Sequence, residues 1–339
     1  MLKKIKVGIV GIGRLGKTHA ENLAFRIPNA DLVAACSIVE SELEYARQHL
    51  GIVHCFNDFN TMIKEAEIEA VVIVSSSGEH CWQIEAAMEA GLHVFSEKPL
   101  GITLEQCQET KVCVDAHHDR IFMIGYQRRY DPSYADARQK VAEGLIGKPY
   151  LVRATSIDPE STIDVAIKYG ATGGGIFLDM TIHDIDLARW FLQSEPTEVH
   201  TMGGCYLHQE FADYQDADNA CALVKFANGA MAVFYSGRDA LHGYHVETEI
   251  IGTKGTLRIG CVPSKNQMMI MNDQGVGIEC VPYFHERFAE AYLLELQEFI
   301  NCIATGSKPG VGVDDGLRNT QIAHAFKESF LTGQSVHLL

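Results

Sequence analysis

Residues 5–16 read IKVGIVGIGRLG, and this stretch decides the fold of the first part of the chain. IKVGIV is a near-continuous apolar run, the pattern of a strand buried on both faces. Gly11-Ile12-Gly13-Arg14-Leu15-Gly16 follows at once and opens residues 15–26, which read as a helix. The spacing is G-x-G-x-x-G. The first glycine allows a tight turn, the second lets the backbone approach a pyrophosphate, and the third lets helix and strand lie close. A glycine triplet alone says little. Here the strand–turn–helix context points to a dinucleotide held by Gly11, Gly13, Arg14, Leu15 and Gly16.

The pattern continues outward from this motif. Further strands are expected at 31–36, 70–75, 92–96 and 121–125, with helices at 41–49, 58–66, 79–90 and 103–117. Such alternation predicts a parallel sheet covered on both faces. After about residue 130 longer β segments take over, at 149–157, 197–206, 219–226, 230–236, 246–252, 256–261 and 267–271. Ala227-Asn228-Gly229 and Gly252-Thr253-Lys254-Gly255 read as hairpin turns. Helices are expected at 133–143, 178–192, 286–304 and 314–332. The predicted fold is α/β: a dinucleotide-binding domain over 1–126, then an α+β domain over 127–339 built on a large, mostly antiparallel open sheet. The last helix is free to pack back on the first domain. The cleft between two such domains is a common place for a small-molecule site.

Twenty-eight basic residues against 44 acidic ones give a formal net charge of −16, which argues against nucleic-acid or anionic-membrane binding. No apolar run is long enough to span a bilayer. The N-terminus enters a strand pattern directly, so no signal peptide is expected. The ten cysteines form no C-x-x-C pair. Cys36, Cys221 and Cys261 sit in apolar strand-like runs and read as reduced core residues of a cytoplasmic protein. No His/Cys cluster has zinc spacing, so no metal site is expected.

A dinucleotide fold usually carries an acid at the end of the second strand, where it binds the adenosine ribose. Here that position is Ser37. Serine can bond a ribose hydroxyl and does not repel a 2′-phosphate, yet the next residues, Ile38 and Val39, are apolar. Glu40 is a nearby substitute acid. NAD is favoured, and NADP stays open.

Two further stretches carry chemistry. VFSEKPL (94–100) ends a predicted strand on the side where ligands bind an open sheet. Lys98 there can hold a hydroxyl and stabilise the alkoxide that develops as hydride leaves. Pro99 can fix its turn, with a cis bond as one means. GGGIFLDMTIHDIDLARWF (173–191) leads from a glycine run into a helix. Helical spacing puts Asp179, His183 and Asp186 on one face. A carboxylate beside a histidine can orient its ring as a general base.

These segments together resemble the Gfo/Idh/MocA family of nicotinamide-dependent sugar and polyol oxidoreductases. GIGRLG is similar to the family's nucleotide loop, the stretch from Ser75 to Leu100 to its fourth-strand and lysine region, and GGGIFLDMTIHDID to its D-x-x-x-H helix. EIIGTKGTL and DDGLRNTQIAHAFKESFLTGQ resemble later parts of the family, so the likeness spans nearly the whole chain. The resemblance implies a Rossmann first domain and a catalytic set of Lys98, Asp179 and His183. It also implies cofactor contacts at Ser37, Ser75, Ser76, His80, Glu97 and Lys98.

GYQRRYDP (125–132) and SIDP (156–159) resemble the inositol dehydrogenase branch. That implies a polyol substrate met by Lys98, Gln127, Arg129, Asp158, Asp179 and His183, with Tyr235, His242 and Tyr244 as further candidates. Arg128, Arg129 and Asp131 fit an ion-pair network equally well. The expected reaction interconverts a ring CHOH and a ketone with NAD. An aldose or keto-sugar enzyme is the runner-up, and a nucleotide-sensing protein without chemistry a distant third. The resemblance also implies oligomers, here a homotetramer, with residues 221–236 and 246–259 on the covering face.

Overall fold

A computed structural model describes residues 4–170, 172–260 and 264–338; Cys261 lies outside the described residues. The first part of the chain runs β1 (Ile5–Val10), α1 (Arg14–Glu21), β2 (Ala30–Cys36), α2 (Glu40–His49), β3 (His54–Phe56), α3 (Phe59–Glu65), β4 (Ala70–Ile73), α4 (His80–Glu89), β5 (His93–Glu97), α5 (Leu104–Ala116) and β6 (Phe122–Gly125). The six strands are all parallel, in the order β3-β2-β1-β4-β5-β6. This is the Rossmann arrangement, and it puts the topological switch between β1 and β4. Val7, Ile9, Val71, Val72, Val94, Phe95, Met123 and Ile124 are wholly buried, as strands covered on both faces require. β3 went unpredicted because three residues carry no readable alternation. The helix expected over 15–26 stays α-helical only to Glu21 and then widens into a π turn at Asn22–Arg26.

The chain continues through α6 (Pro132–Ala142), β7 (Pro149–Pro159), α7 (Ile163–Gly170), α8 (Ile182–Leu192), β8 (Pro196–Gly204), β9 (Asn219–Phe226), β10 (Met231–Ala240), β11 (His245–Gly252), β12 (Gly255–Ile259), β13 (Ser264–Asn272), β14 (Gly275–Cys280), α9 (Phe284–Arg287), α10 (Ala289–Thr305), α11 (Val313–Thr332) and β15 (Val336–His337). Seven of these strands form a sheet in the order β12-β11-β7-β10-β9-β8-β15. Only β7 and β10 run parallel; the other neighbours are antiparallel. The two expected hairpin turns join β9 to β10 and β11 to β12. In the first, Asn228 Oδ1 accepts from Ala230 N–H at 3.0 Å and Gly229 takes φ +83°. β13 and β14 make a separate two-stranded ribbon.

One face of the seven-stranded sheet is covered by its own chain. Phe326 of α11 lies 6.1 Å from the ring of Phe177 and 6.0 Å from that of Phe234 on β10. Alternation along β9 buries Ala220, Ala222 and Val224 and turns Cys221, Leu223 and Lys225 outward. Cys221 is therefore exposed, against the core role expected of it. A reading of composition alone could not tell which parity faces inward.

Contacts divide the chain into two compact units: residues up to Tyr130 with Glu290–Thr320, and Asp131–Ala289 with residues from Gln321 onward. The expected second domain, 127–339, is thus not one continuous block. α10 belongs to the first unit because its apolar face packs there. Phe299 lies 5.8 Å from the ring of Phe95, and Tyr292 lies 5.5 Å from that of His19.

The same helix buries an acid. Glu295 is fully buried, and neither carboxylate oxygen has a partner among the described residues. Its ligand atoms lie within 4.8 Å of those of His19 and Glu97. Burial, and then the charge of Glu97, hold its carboxyl well above the usual carboxylate range. The folded chain thus keeps a proton that the unfolded chain releases near pH 4.3 or so. Glu295's contribution is full below that value and is lost as pH rises toward the raised folded value. Glu295→Gln, which mimics the protonated acid, should therefore melt higher than the parent protein, by a margin that grows from pH 5 to pH 8. Melting curves that stay parallel across that range would show that Glu295 is not the titrating group.

Candidate active site

In the first unit the glycine loop is a backbone cradle. A Cβ on Gly11, which takes φ +84°, would stand 2.5 Å from Val74 O, and one on Gly16 would stand 2.0 Å from Gly11 O. Neither position tolerates a side chain. Gly13 is the N-cap of α1 and, as a glycine, offers no side-chain cap to the helix N-terminus. Such an end suits a pyrophosphate, and the residues present fit a dinucleotide. Arg14 is exposed and Leu15 half-buried beside the loop.

Ser75 and Ser76 follow the carboxyl end of β4, with Ser75 Oγ donating to Gln83 Oε1 at 2.6 Å. His80 and Glu97 turn inward instead. His80 is buried, with Nδ1 2.7 Å from Pro99 O and Nε2 3.1 Å from Ser75 O. Burial lowers its pKa, so the ring is neutral and can donate to only one of these carbonyls. We assign the proton to Nδ1, on the shorter contact. Glu97 sits 2.7 Å from His19 Nε2 through Oε1 and accepts from Lys98 N–H through Oε2 at 3.2 Å. These two side chains hold the backbone on either side of Lys98, whose bond to Pro99 is cis. Cys81 adds a thiol bond to Leu100 O at 3.4 Å. The lysine itself is half-buried.

Gln127 in the same unit is buried, and its Oε1 has no partner among the described residues. Arg129, expected at the substrate, donates to Asp315 Oδ1 at 3.0 Å and Gly310 O at 3.2 Å. The ion-pair reading of that motif therefore describes it better. Asp131, assigned to the second unit, caps α6 at Ser133 N–H (3.1 Å) and pairs with Arg287 at 2.6 Å.

In the second unit, Gly174 and Gly175 take φ +84° and +83°, and a Cβ on Gly175 would meet Asp216 Oδ1 at 2.7 Å. Asp216 uses that space to accept from Ile176 N–H at 2.9 Å, which fixes the start of the next turn. The predicted α-helix over 178–192 is not uniform. Phe177–Thr181 is a π turn, and α8 begins only at Ile182. A π turn inserted before an α-helix re-aims its side chains and is common at functional sites. Asp179 falls in the wider turn and His183 in the first turn of α8; His183 is 8% exposed.

Alternate residues of β10 address this turn. Ser236 Oγ lies 2.8 Å from Thr181 Oγ1, and Arg238 Nη2 donates to Asp179 Oδ2 at 3.2 Å. Arg238 is 1% exposed. Burial works against its charge, but Asp179, Asp158 and Asp216 together outweigh that, so the guanidinium stays charged. On β7, Ser156 donates to Asp184 Oδ2 at 2.7 Å, and Asp158 lies two residues on along the same face. Asp158, Asp179 and His183 thus share one side of the sheet with Arg238. Tyr235 does not. Its neighbours Phe234 and Ser236 face the helices, so Tyr235 points to the open face, where its hydroxyl bonds Asn219 Oδ1 at 2.7 Å. Its expected substrate role fails on that parity. Tyr244 is buried against Tyr283 and Phe288, and His242 lies 3.1 Å from His245. Asp186 is buried.

Sequence reasoning missed Arg238. The available signal was a lone arginine at an inward position of a strand, MAVFYSGRDA. It also named Glu40 as the substitute acid near Ser37, but Glu40 pairs with Arg47 at 2.7 Å and is exposed. Glu42 takes the position beside Ser37, with Oε2 at 2.6 Å from its hydroxyl.

Comparison with known proteins bears on both units. Residues 5–126 match an oxidoreductase family with an NAD-binding Rossmann fold, and residues 134–258 match the GFO/IDH/MocA C-terminal domain. The myo-inositol 2-dehydrogenase of Thermotoga maritima is 34% identical, over 98% of each chain. The scyllo-inositol 2-dehydrogenase (NAD(+)) of Bacillus subtilis is 33% identical, over all of this chain and 97% of that one. The crystal structure of scyllo-inositol dehydrogenase from Lactobacillus casei with bound NAD(H) and scyllo-inositol superposes with a TM-score of 0.95 at 44% identity, over 99% of both chains. With the glycine cradle, the lysine turn and the Asp179–His183 segment in place, the chain belongs to the Gfo/Idh/MocA family of NAD-binding oxidoreductases.

Proposed function

We propose that this protein is an NAD-dependent inositol dehydrogenase, which interconverts a ring CHOH of scyllo- or myo-inositol with the ketone. The observation that carries most weight is the 44% identity, over 99% of both chains, to an enzyme whose structure holds NAD(H) and scyllo-inositol. Gly11, Gly13, Gly16 and the N-terminus of α1 would hold the pyrophosphate, with Ser75 and Ser76 at the adjoining strand end. When bound, the nicotinamide supplies a hydride acceptor. His183 takes the hydroxyl proton. Lys98 donates a hydrogen bond to the same oxygen and stabilises its developing charge. Asp179 accepts from a neighbouring substrate hydroxyl and is held in place by Arg238. His80 and Glu97 act at one remove, by fixing the turn that presents Lys98. Asp158 and Gln127 supply further polar contacts, as an uncharged polyol demands.

No helix among the described residues is long and apolar enough to cross a membrane. We place the protein in the cytoplasm as a homotetramer. The exposed row of Met202, Leu223, Met231 and Val233 on the open sheet face supports a partner copy there, and a monomeric mass in sedimentation would remove that assignment.

The function is tested by following reduced-nicotinamide absorbance with scyllo-inositol, myo-inositol and glucose, each with NAD and NADP. Reduction of NAD by an inositol is expected, with scyllo-inositol fastest. Turnover of glucose alone would move the protein to a sugar dehydrogenase. Nucleotide binding without turnover of any polyol would favour a sensor.

A further inference from the structure

The end of β2 lacks the acid that a dinucleotide fold usually places there, yet the position is not without a carboxylate. Glu42, in the first turn of α2, reaches back to it. Its Oε2 accepts from Ser37 Oγ at 2.6 Å and from Ile12 N–H, inside the glycine loop, at 3.2 Å. Its Oε1 lies 3.7 Å from the point where a Cβ on Gly13 would project. Ser37 is itself locked, because its oxygen also accepts from Val39 N–H at 3.0 Å. An acid in the first turn of a helix is usually there for the helix dipole. That role does not require a reach of 30 residues to the backbone of the phosphate loop.

We propose that Glu42 is the acid that receives the adenosine ribose of NAD and turns away the 2′-phosphate of NADP, with Ser37 as the residue that positions it. The proposal rests on the reading of this unit as an NAD site. A ribose diol offers two hydroxyl donors, and an ionised carboxylate is a strong acceptor for them. A 2′-phosphate in the same place would bring about two further negative charges against it. Ile38 and Val39, which follow Ser37, are 92% and 44% exposed and give such a phosphate no cation. Glu42 thus does from the helix what a β2 acid does from the strand.

The test is calorimetric titration of the apoprotein with NAD and with NADP, independent of turnover. The parent protein should bind NAD and prefer it. Glu42→Gln keeps an acceptor for Ser37 and Ile12 but loses the charge. It should weaken NAD by about tenfold or more, the usual worth of one charge-assisted bond, and strengthen NADP, so that the preference collapses. Adding Ser37→Asp to Glu42→Gln puts the acid at the strand end and should restore the preference for NAD. A merely structural role for Glu42 would not be rescued this way. If the parent binds NAD and Glu42→Gln leaves both affinities unchanged, the proposal is wrong while the NAD site stands. If the parent binds neither nucleotide, the NAD site is wrong, and the proposal falls with it.

Discussion

Lys98→Ala and His183→Ala should each lower turnover by about 10²- to 10⁴-fold, the span expected for loss of a general base or of a preorganised charge at the reacting oxygen. Affinity for NAD should stay close to that of the parent protein. The two halves of the expectation have different sources. A secondary alcohol loses its proton to water only at very high pH, so hydride departure is slow unless a base takes that proton and a cation meets the oxygen. His183 and Lys98 are the residues we propose for these two tasks. The dinucleotide, on the proposed reading, is held mainly by the backbone of the glycine loop, which neither substitution touches. Both kcat and nucleotide Kd must therefore be measured. Near-parent turnover in either variant would remove that residue from the chemistry. Lost NAD binding with a normal melting temperature would instead make it a cofactor ligand. Lys98→Arg adds a control, because a planar guanidinium cannot reproduce a compact ammonium in a fixed turn.

The sequence was most readable where physical constraint is local. IKVGIVGIGRLG specified strand, turn and helix because no residue but glycine fits at Gly11 or Gly16. The apolar strands of the first unit were visible because burial on both faces leaves no polar position to confuse the period. The hairpin turns of the second unit were visible from Asn228-Gly229 and its counterpart at 252–255 for the same local reason. Readability failed where parity or a distant partner decides. Tyr235 and Cys221 stand on strands whose inward parity depends on where α8 and α11 pack, and a one-residue change of face reverses each role. The same holds for the grouping of α10 with the first unit. Its amphipathic pattern shows that one face is buried but not against what.

The candidate site divides along the same line. Lys98, Asp179 and His183 could be named from short motifs. The groups that hold them could not. Glu97 meets His19 across 78 residues, Asp216 meets Ile176 across 40, and Arg238 meets Asp179 across 59. The i, i+4 spacing of Asp179 and His183 suggested an aspartate that orients the histidine. The structure gives that aspartate a guanidinium partner, in a π turn that helical periodicity does not foresee.

Arg238→Met should be among the most damaging single changes in the second unit, at about 3–5 kcal/mol, the usual cost of removing one partner from a buried charge set. The methionine fills much of the volume, so the loss is electrostatic first. Asp179, Asp158 and Asp216 all lean on this guanidinium. Burial pushes the Asp216 carboxyl up, and the Ile176 amide, Arg238 and weaker neighbours pull it back. Without the arginine the Asp216 carboxyl should titrate higher in the folded chain than in the parent protein. The variant then binds more protons folded than the parent does. Its deficit should therefore be greatest near neutral pH and shrink as pH falls toward the ordinary carboxylate range. Denaturant unfolding of parent and variant at pH 5 and pH 8 measures this directly. A deficit equal at both values would mean that only packing was lost, including the guanidinium's contact 5.3 Å over the Phe211 ring. Arg238→Lys separates the two further. It keeps the charge but not the fork, so it should recover much of the stability while turnover stays low, because Asp179 is no longer held at a fixed angle.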